Sequence, residues 1–407
     1  MNFDLLLKGG HLIDPKNEID RPLDLAVQDG KVAAVDDNIP AGQAHRVIDV
    51  AGLYVTPGLV DIHIHAYATA GHPQAWAGDN SILPDGFSFR TGVTTTVDTG
   101  SAGWRNFEDF RFRVIDRCQT RLFALVNIAG TGMTSNDHEQ NPYDMDTDQT
   151  AAMARQHGDV VVGIKTAHFY GPEWISVDRC LEAADKASLP VMIDFGFFKK
   201  ERPYYALLNQ KLRPGDISTH VFRGPTPWFD ADGKVLSYLH EARERGVILD
   251  VGHGAGSFCF RNAVPAIAQG FYPDSISTDL HVMCMNEGML DMATTMSKFL
   301  VMGMPLVEVI RTSTINPAKE IGHPELGHLS PGAVADVAVL QLLEGNFGYA
   351  DSFGGKLKGK QRLQCELTLK DGEVAWDWNG RAGIDYRELP PDYGIREGEY
   401  LVLPPQA

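Results

Sequence analysis

His63 and His65 close the segment TPGLVDIHIHA (residues 56–66), one residue apart, after a short apolar run punctuated by Pro57 and Gly58. In an extended strand side chains alternate faces, so residues two apart point the same way. Two neutral imidazoles on one face suit Zn²⁺ or a similar divalent ion. A lone histidine in an apolar run is as readily a satisfied core residue, so the reading depends on how other runs end.

Those endings are polar. Lys165 ends VVVGIK (160–165), Asp194 sits in LPVMIDF (189–195) and His220 in DISTHVF (216–222). His253 ends VILDVGH (247–253), and Asp279 lies in SISTDL (275–280). An aspartate on the last run can hold a metal and accept a proton from bound water, whose pKa a divalent ion lowers to about 7. Each residue also has a plainer reading. Asp279 can be a helix N-cap or loop carboxylate, and Lys165 an ion-pairing lysine, although a bare ammonium is costly if buried there. Asp194 is a ligand or a structural carboxylate. His253 binds substrate, orients water or only shapes a Gly-rich loop. His168, with Tyr170 and Trp174, is a pocket candidate, and Asp61 shares the face of the two histidines as a supporting carboxylate or a buried ion-pair member. His281 has the parity of Asp279. Arg223, Arg261 and the NH groups of the loop Gly252–Gly256 are candidate anchors for a substrate anion. The other histidines, His157 and His328 among them, are expected at the surface or in loops.

The elements that must carry these residues follow from the hydrophobic pattern. Eight short apolar runs begin at residues 59, 93, 121, 160, 189, 216, 247 and 275, separated by helix-compatible segments. Strands alternating with helices predict βαβ units and a parallel sheet. Eight units in roughly 270 residues match a (β/α)₈ TIM barrel, whose active site lies at the C-terminal strand ends. A doubly wound open sheet is the alternative, but the Gly-rich first turn it wants is absent. Residues 1–56 and 330–407 are β-rich, with hairpin signals at Asp29-Gly30 and Asp371-Gly372, and are expected to pair into a small β-sandwich domain. The barrel then spans 57–329, and the Pro-rich end (LPPDYG to LPPQA) reads as a loosely ordered or partner-contacting tail.

Composition excludes several classes. The 407 residues carry a net charge of −17, which argues against nucleic acid or an anionic membrane as partner. Five scattered cysteines without a CxxC pair give no disulfide framework or cysteine zinc knot. No signal peptide or apolar stretch of transmembrane length is visible, so a cytoplasmic protein is expected, acting on a small-molecule substrate, with a homo-oligomer compatible.

TPGLVDIHIHA, VVGIK, the histidines of the sixth and seventh runs and STD on the eighth together resemble the amidohydrolase superfamily. TSTINPAKEIG (312–322) followed by LSPGAVADVAVL (329–340) resembles that superfamily's return to its β-sandwich. The resemblance covers nearly the whole chain. Within it, GHGAGSFCFRNAVPAIAQGFYPDSISTDLH (252–281) resembles a deacetylase or dihydroorotase-like group that hydrolyses acyl esters or amides. The resemblance implies that His63, His65 and Asp279 hold one metal, that Lys165 is carbamylated by CO₂ and bridges to a second, and that His220 ligates the second. It also implies that Asp279 shuttles the proton. A histidine is implied at the fifth strand end, where this chain has Asp194. A carboxylate ligates zinc at similar distance; otherwise the second site is weaker, empty or suited to Mn²⁺. This departure, with Lys165, speaks against a mononuclear deaminase site. The expected cofactors are one or two divalent ions, Zn²⁺ first and Mn²⁺ second, with carbamylated Lys165. The expected activity is cleavage of an amide or ester (acyl) bond of a small molecule by a metal-activated hydroxide. The alternatives are a dihydroorotase- or hydantoinase-like cyclic-amide hydrolase and a non-catalytic barrel scaffold that has lost its metals. Specificity is expected in the loops 67–81 and 197–213.

Overall fold

The computed structural model describes residues 2–68 and 71–401. Seven of the eight apolar runs form one parallel sheet: Leu59–Ile64, Val93–Gly103, Arg121–Asn127, Val161–Thr166, Val191–Ile193, Ile217–Ser218 and Ile248–Leu249, each beside the next in sequence order. Every residue of Leu59–Ile64, Val93–Gly103 and Val161–Thr166 is buried, as expected for strands covered on both faces. Helices such as Thr147–Gln156, capped by Asp146, and Ile175–Ala187, ended by left-handed Ser188, return the chain between strands.

The eighth run is a correction: it is not a strand. Its backbone still bonds on both sides. His253 N and Gly254 N donate to Ser277 O and Thr278 O, while Leu280 N donates to His63 O and His65 N to Leu280 O. The segment therefore joins both edge strands of the seven-stranded sheet. Asp279 has φ +53°, a left-handed conformation that breaks extended pairing where the carboxylate must turn inward. The result is a TIM-barrel-like fold with an additional β domain.

That β domain draws on both chain ends. Phe3–Lys8, Asp24–Gln28, Lys31–Asp36 and Ala44–Asp49 make a four-stranded sheet. His11–Asp14, Ile19–Pro22, Tyr54–Pro57, Val337–Ala350, Lys356–Lys370 and Glu373–Asp377 make a six-stranded one. Leu5, Leu7 and Leu25 from the first share a core with Leu12, Val55, Val337 and Leu367 from the second. The predicted turns form: Asp29-Gly30 and Asp371-Gly372 all have positive φ. The hairpin Val337–Lys370 also reaches the helices and loops around the seven-stranded sheet. Leu363 N donates to Ser297 Oγ in the helix Met292–Val301, and Ser352, at the hairpin tip, donates from N to Phe258 O and from Oγ to Gly254 O.

His157 and His328 are buried, not exposed; His157 packs on Phe107 and bonds Arg111. The five cysteines are free thiols. Among the described residues no helix is long and apolar enough to cross a membrane. Of the Pro-rich tail, residues 391–401 are exposed and hold no helix or strand, and 402–407 lie outside the described residues.

Candidate metal centre

One cavity at the C-terminal strand ends is lined by His63, His65, Lys165, His168, Asp194, His220 and Asp279, with Trp76 and Met133. Seven of the sequence-predicted residues thus meet in one place, because parallel strands of one sheet end on one side.

His63, His65 and Asp279 offer ligand atoms that all lie within 4.8 Å of one another, and all three residues are buried. Asp279 Oδ1 is 3.5 Å from His63 Nε2 and 3.2 Å from His65 Nε2. The far side of each ring sets the near side. Thr219 Oγ1 donates to Asp250 at 2.7 Å, so it can only accept from His63 Nδ1 at 2.9 Å. The His63 proton is therefore on Nδ1, and the Nε2 lone pair faces Asp279. His65 Nδ1 bonds Ser101 Oγ at 2.9 Å, and Ser101 N donates to Asp98. Burial, reinforced by the Lys165 charge, lowers the His63 pKa to about 3 and keeps the imidazole neutral. Against the desolvation that would raise it, the neighbouring His281 ring holds the Asp279 carboxyl well below the usual carboxylate range. Asp279 Oδ1 is buried without a hydrogen-bond partner. The His63 lone pair, a second imidazole nitrogen and an unpartnered carboxylate oxygen converging in this way fit a divalent cation.

Backbone compromises hold the site together. His168, His220 and Asp279 all have left-handed φ, at 54°, 61° and 53°. Gly252 (φ +45°) leaves room that any Cβ would fill, 2.3 Å from Thr219 Oγ1 and 2.7 Å from His220 Nδ1. A Cβ at Gly100 would meet the Lys165 side chain at 2.8 Å.

On the other side of the cavity, Asp194 Oδ2 is 3.5 Å from His220 Nε2 and 3.3 Å from His168 Nε2. Arg223 Nη1 stands 3.5 Å from Asp194 Oδ1 and donates to Gly196 O at 2.6 Å. Between the clusters, buried Lys165 has Met192 Sδ, 3.7 Å away, as its hydrogen-bond partner. Desolvation lowers its pKa, which favours the neutral amine.

Other expectations meet a different structure. His253 does not line the cavity. It is fully buried, stacked on Phe258, with Nε2 accepting from Lys298 Nζ at 2.7 Å. The loop NH groups proposed as an anion anchor are largely committed, Gly252 N to Ser277 Oγ, His253 N to Ser277 O and Gly254 N to Thr278 O. Arg261 donates outside the cavity to Gly224 O. Tyr170 packs against Phe197 and Trp174 against Phe195, and neither lines the cavity wall. Asp61 accepts from Thr278 N and Oγ1, fastening the segment that carries Asp279 to the first strand. His281 donates from Nδ1 to Asp279 O. Trp76, stacked 5.7 Å from His168, and Met133 went unnoticed in the sequence. Both sit on loops without periodicity. Thr219, Ser101, Asp98 and Asp250 were missed as well, although their positions beside the run endings were a usable signal.

Comparison with known proteins identifies the family. Residues 260–366 match the family model described as "Amidohydrolase family". The deacetylase Atu3266 of Agrobacterium fabrum is 35% identical over 357 residues, covering 85% of this chain and 84% of that one. A crystal structure named as an adenine deaminase superposes with a TM-score of 0.83 at 27% identity, over 92% of this chain and 100% of that chain. A dihydroorotase superposes with a TM-score of 0.78 at 31% identity, over 91% and 98%. A relative of this identity and extent, with the family model beside it, places the chain in the amidohydrolase superfamily, to which it belongs.

Proposed function

We propose that this chain is a divalent-metal-dependent hydrolase that cleaves the acyl amide or ester bond of a small molecule. The observation that carries the reading is the convergence of His63, His65 and Asp279, whose ligand atoms lie within 4.8 Å of one another, with both imidazoles held from behind. A divalent ion bound there supplies Lewis-acid polarisation of a carbonyl and lowers the pKa of water to about 7. The chain's own residues do the rest. His63 and His65 present neutral nitrogens. The Asp279 carboxylate, ionised and turned inward, takes a proton from the attacking water and returns it to the leaving group. Lys165, kept toward its neutral form by burial, is the amine to which CO₂ adds, and its carbamate oxygens would reach toward a second ion. Zn²⁺ suits the nitrogen-rich set, and Mn²⁺ is the alternative on the side of Asp194. Trp76 and Met133 form an apolar wall for the acyl group and exclude water. In this reading residues 57–329 form a closed eight-membered barrel, and 1–56 with 330–407 form the β-sandwich domain.

The deacetylase relative favours acyl transfer to water on an open-chain substrate. A second reading, hydrolysis of a cyclic amide, is favoured by the dihydroorotase likeness. One experiment separates them. The purified chain, loaded with Zn²⁺, is offered N-acetyl and O-acetyl small molecules and, separately, dihydropyrimidine-type cyclic amides. The expected result is acetate release that a chelator abolishes and Zn²⁺ restores. Ring opening without acetate release selects the second reading. A chain that binds no divalent ion and turns over neither class is a scaffold, and the proposal fails.

A further inference from the structure

Thr278 and Leu280, the neighbours of Asp279, line a second cavity of about 340 Å³ that shares no lining residue with the metal centre. That volume falls in the range of small-molecule sites, about 300–1,000 Å³. Much of the wall is apolar, with Phe87, Val93, Met285 and Met292. Methionines fill irregular gaps and adapt to what packs on them. One polar group there is unanswered: Ser88 is 1% exposed, and its Oγ has no hydrogen-bond partner. Asp61, which also lines the cavity, is spent on Thr278 N, Thr278 Oγ1 and His63 N. A buried hydroxyl without a partner costs free energy unless something in the cavity bonds to it.

At Arg90, Thr91 and Asp291 the cavity adjoins a smaller cleft of about 180 Å³, where Arg362 joins Arg90. Several arginines of this acidic chain pair with carboxylates: Arg105 with Asp144, Arg111 with Asp159, Arg121 with Asp336 and Arg381 with Glu366. Arg90 and Arg362 have no such partner among the described residues, and Arg362 Nε is buried without a hydrogen bond. The carboxylate in the cleft wall, Asp291, is already the N-cap of the helix Met292–Val301 and accepts from Thr294 N at 2.7 Å. Both arginines are supported from behind. The Arg362 guanidinium lies 4.8 Å from the centre of the Phe347 ring. Arg90 sits on the turn Phe89–Thr91, where Phe89 O accepts from Thr368 Oγ1 at 2.7 Å, on the strand that carries Arg362. Two guanidinium forks without a counter-ion, beside an apolar cavity, suit a planar carboxylate on an apolar body.

We propose that cavity and cleft together form a second small-molecule site, which takes an amphipathic monocarboxylate. Its apolar body fills the space beside Val93, Met285 and Met292, and its carboxylate lies between Arg90 and Arg362. Because Thr278 and Leu280 flank Asp279, the occupant rests against the segment that Asp61 fastens. The test is binding rather than turnover, so it stands apart from the hydrolase reading. The Zn²⁺-loaded chain is titrated by calorimetry with acetate, butyrate, hexanoate and octanoate, and with hexanol as the neutral control. Affinity is expected to rise about fourfold per added methylene until the cavity is full, and hexanol is expected to bind more weakly than hexanoate. Arg90→Gln and Arg362→Gln, each checked for native circular dichroism, are expected to weaken hexanoate by about 10–100-fold, the loss of a charged hydrogen bond. Met285→Trp fills the apolar cavity while leaving both arginines, and is expected to remove the dependence on chain length. Hexanoate held at wild-type affinity by the Arg90 and Met285 variants is bound elsewhere and overturns the proposal. So does an affinity independent of chain length, hexanol binding equal to that of hexanoate, or no binding at any length.

Discussion

His63 Nδ1 lies 2.9 Å from Thr219 Oγ1, and Thr219 has already given its hydroxyl proton to Asp250 at 2.7 Å. The threonine is thus a relay that translates a buried carboxylate into a fixed imidazole tautomer. Asp250 also takes the hydroxyl protons of Ser275 and Ser277, so it is anchored independently of the histidine. Thr219→Val removes the acceptor while keeping the shape. Loss of such an outer partner costs about 10–100-fold in metal affinity. Competition with a chromophoric chelator is expected to show that loss in Thr219→Val and near-wild-type affinity in Thr219→Ser.

Asp279 has two duties, and Asp279→Asn separates them from folding. The amide preserves size, but it can neither hold a proton during turnover nor offer an anionic oxygen. Positioned acid–base groups contribute about 10²–10⁴-fold. The variant is expected to lose at least that much in kcat while retaining native circular dichroism. Its bell-shaped pH–rate profile should lose the limb that reports this carboxylate, whereas a purely structural role would leave the profile's shape intact.

What could be read in advance follows from geometry. His63, His65, Lys165, Asp194, His220 and Asp279 were visible because a parallel sheet brings its run endings to one side, so one-dimensional position stands for three-dimensional place. Trp76 and Met133 were not, because the segments that carry them have no period linking sequence to direction. The eighth strand failed for a local reason: Asp279 takes left-handed backbone to aim its carboxylate, and that conformation interrupts the pairing its β-branched neighbours favour. His253 shows the opposite error. Its place in a run ending suggested the cavity, yet its ring turns away to Lys298, and nothing in the spacing distinguishes the two directions. The hairpin Val337–Lys370 was legible as strands, but its reach to Phe258 depends on a long-range contact that no local pattern encodes.

Gly252 is the point where the His63 relay, His220 and the chain itself approach most closely. Alanine there adds a Cβ 2.3 Å from Thr219 Oγ1 and 3.0 Å from His63 Nδ1, in a left-handed conformation. The backbone strain alone costs about 1–3 kcal/mol, and the clash displaces three of the groups that orient the site. Gly252→Ala is expected to lower the denaturation midpoint and to weaken metal binding together. Gly256→Ala, whose Cβ meets nothing within 4 Å, is expected to change neither.

The metal-stripped chain should be sensitive to mild acid, and His63 sets the window. Its pKa falls from 6.5 to about 3 on folding, first because burial disfavours the imidazolium and second because the Lys165 charge opposes it. A depressed folded pKa means that the unfolded chain binds the extra proton between those values. Stability is then fully present above pH 6.5 and is lost as pH falls toward about 3. His65, lowered in the same direction by its own burial, adds to the slope. Asp61, whose carboxyl burial raises to about 7, opposes this trend in the same window, so the difference from His63→Asn is the readout: relative to that variant, which cannot take up the proton, the chelator-treated protein is expected to lose midpoint progressively below pH 6.5. Adding Zn²⁺ at constant pH should raise the midpoint on both sides of pH 6.5, because folded His63 stays unprotonated down to about 3 and keeps its lone pair for the metal. An acid slope unchanged by His63→Asn would assign the sensitivity to groups outside the centre.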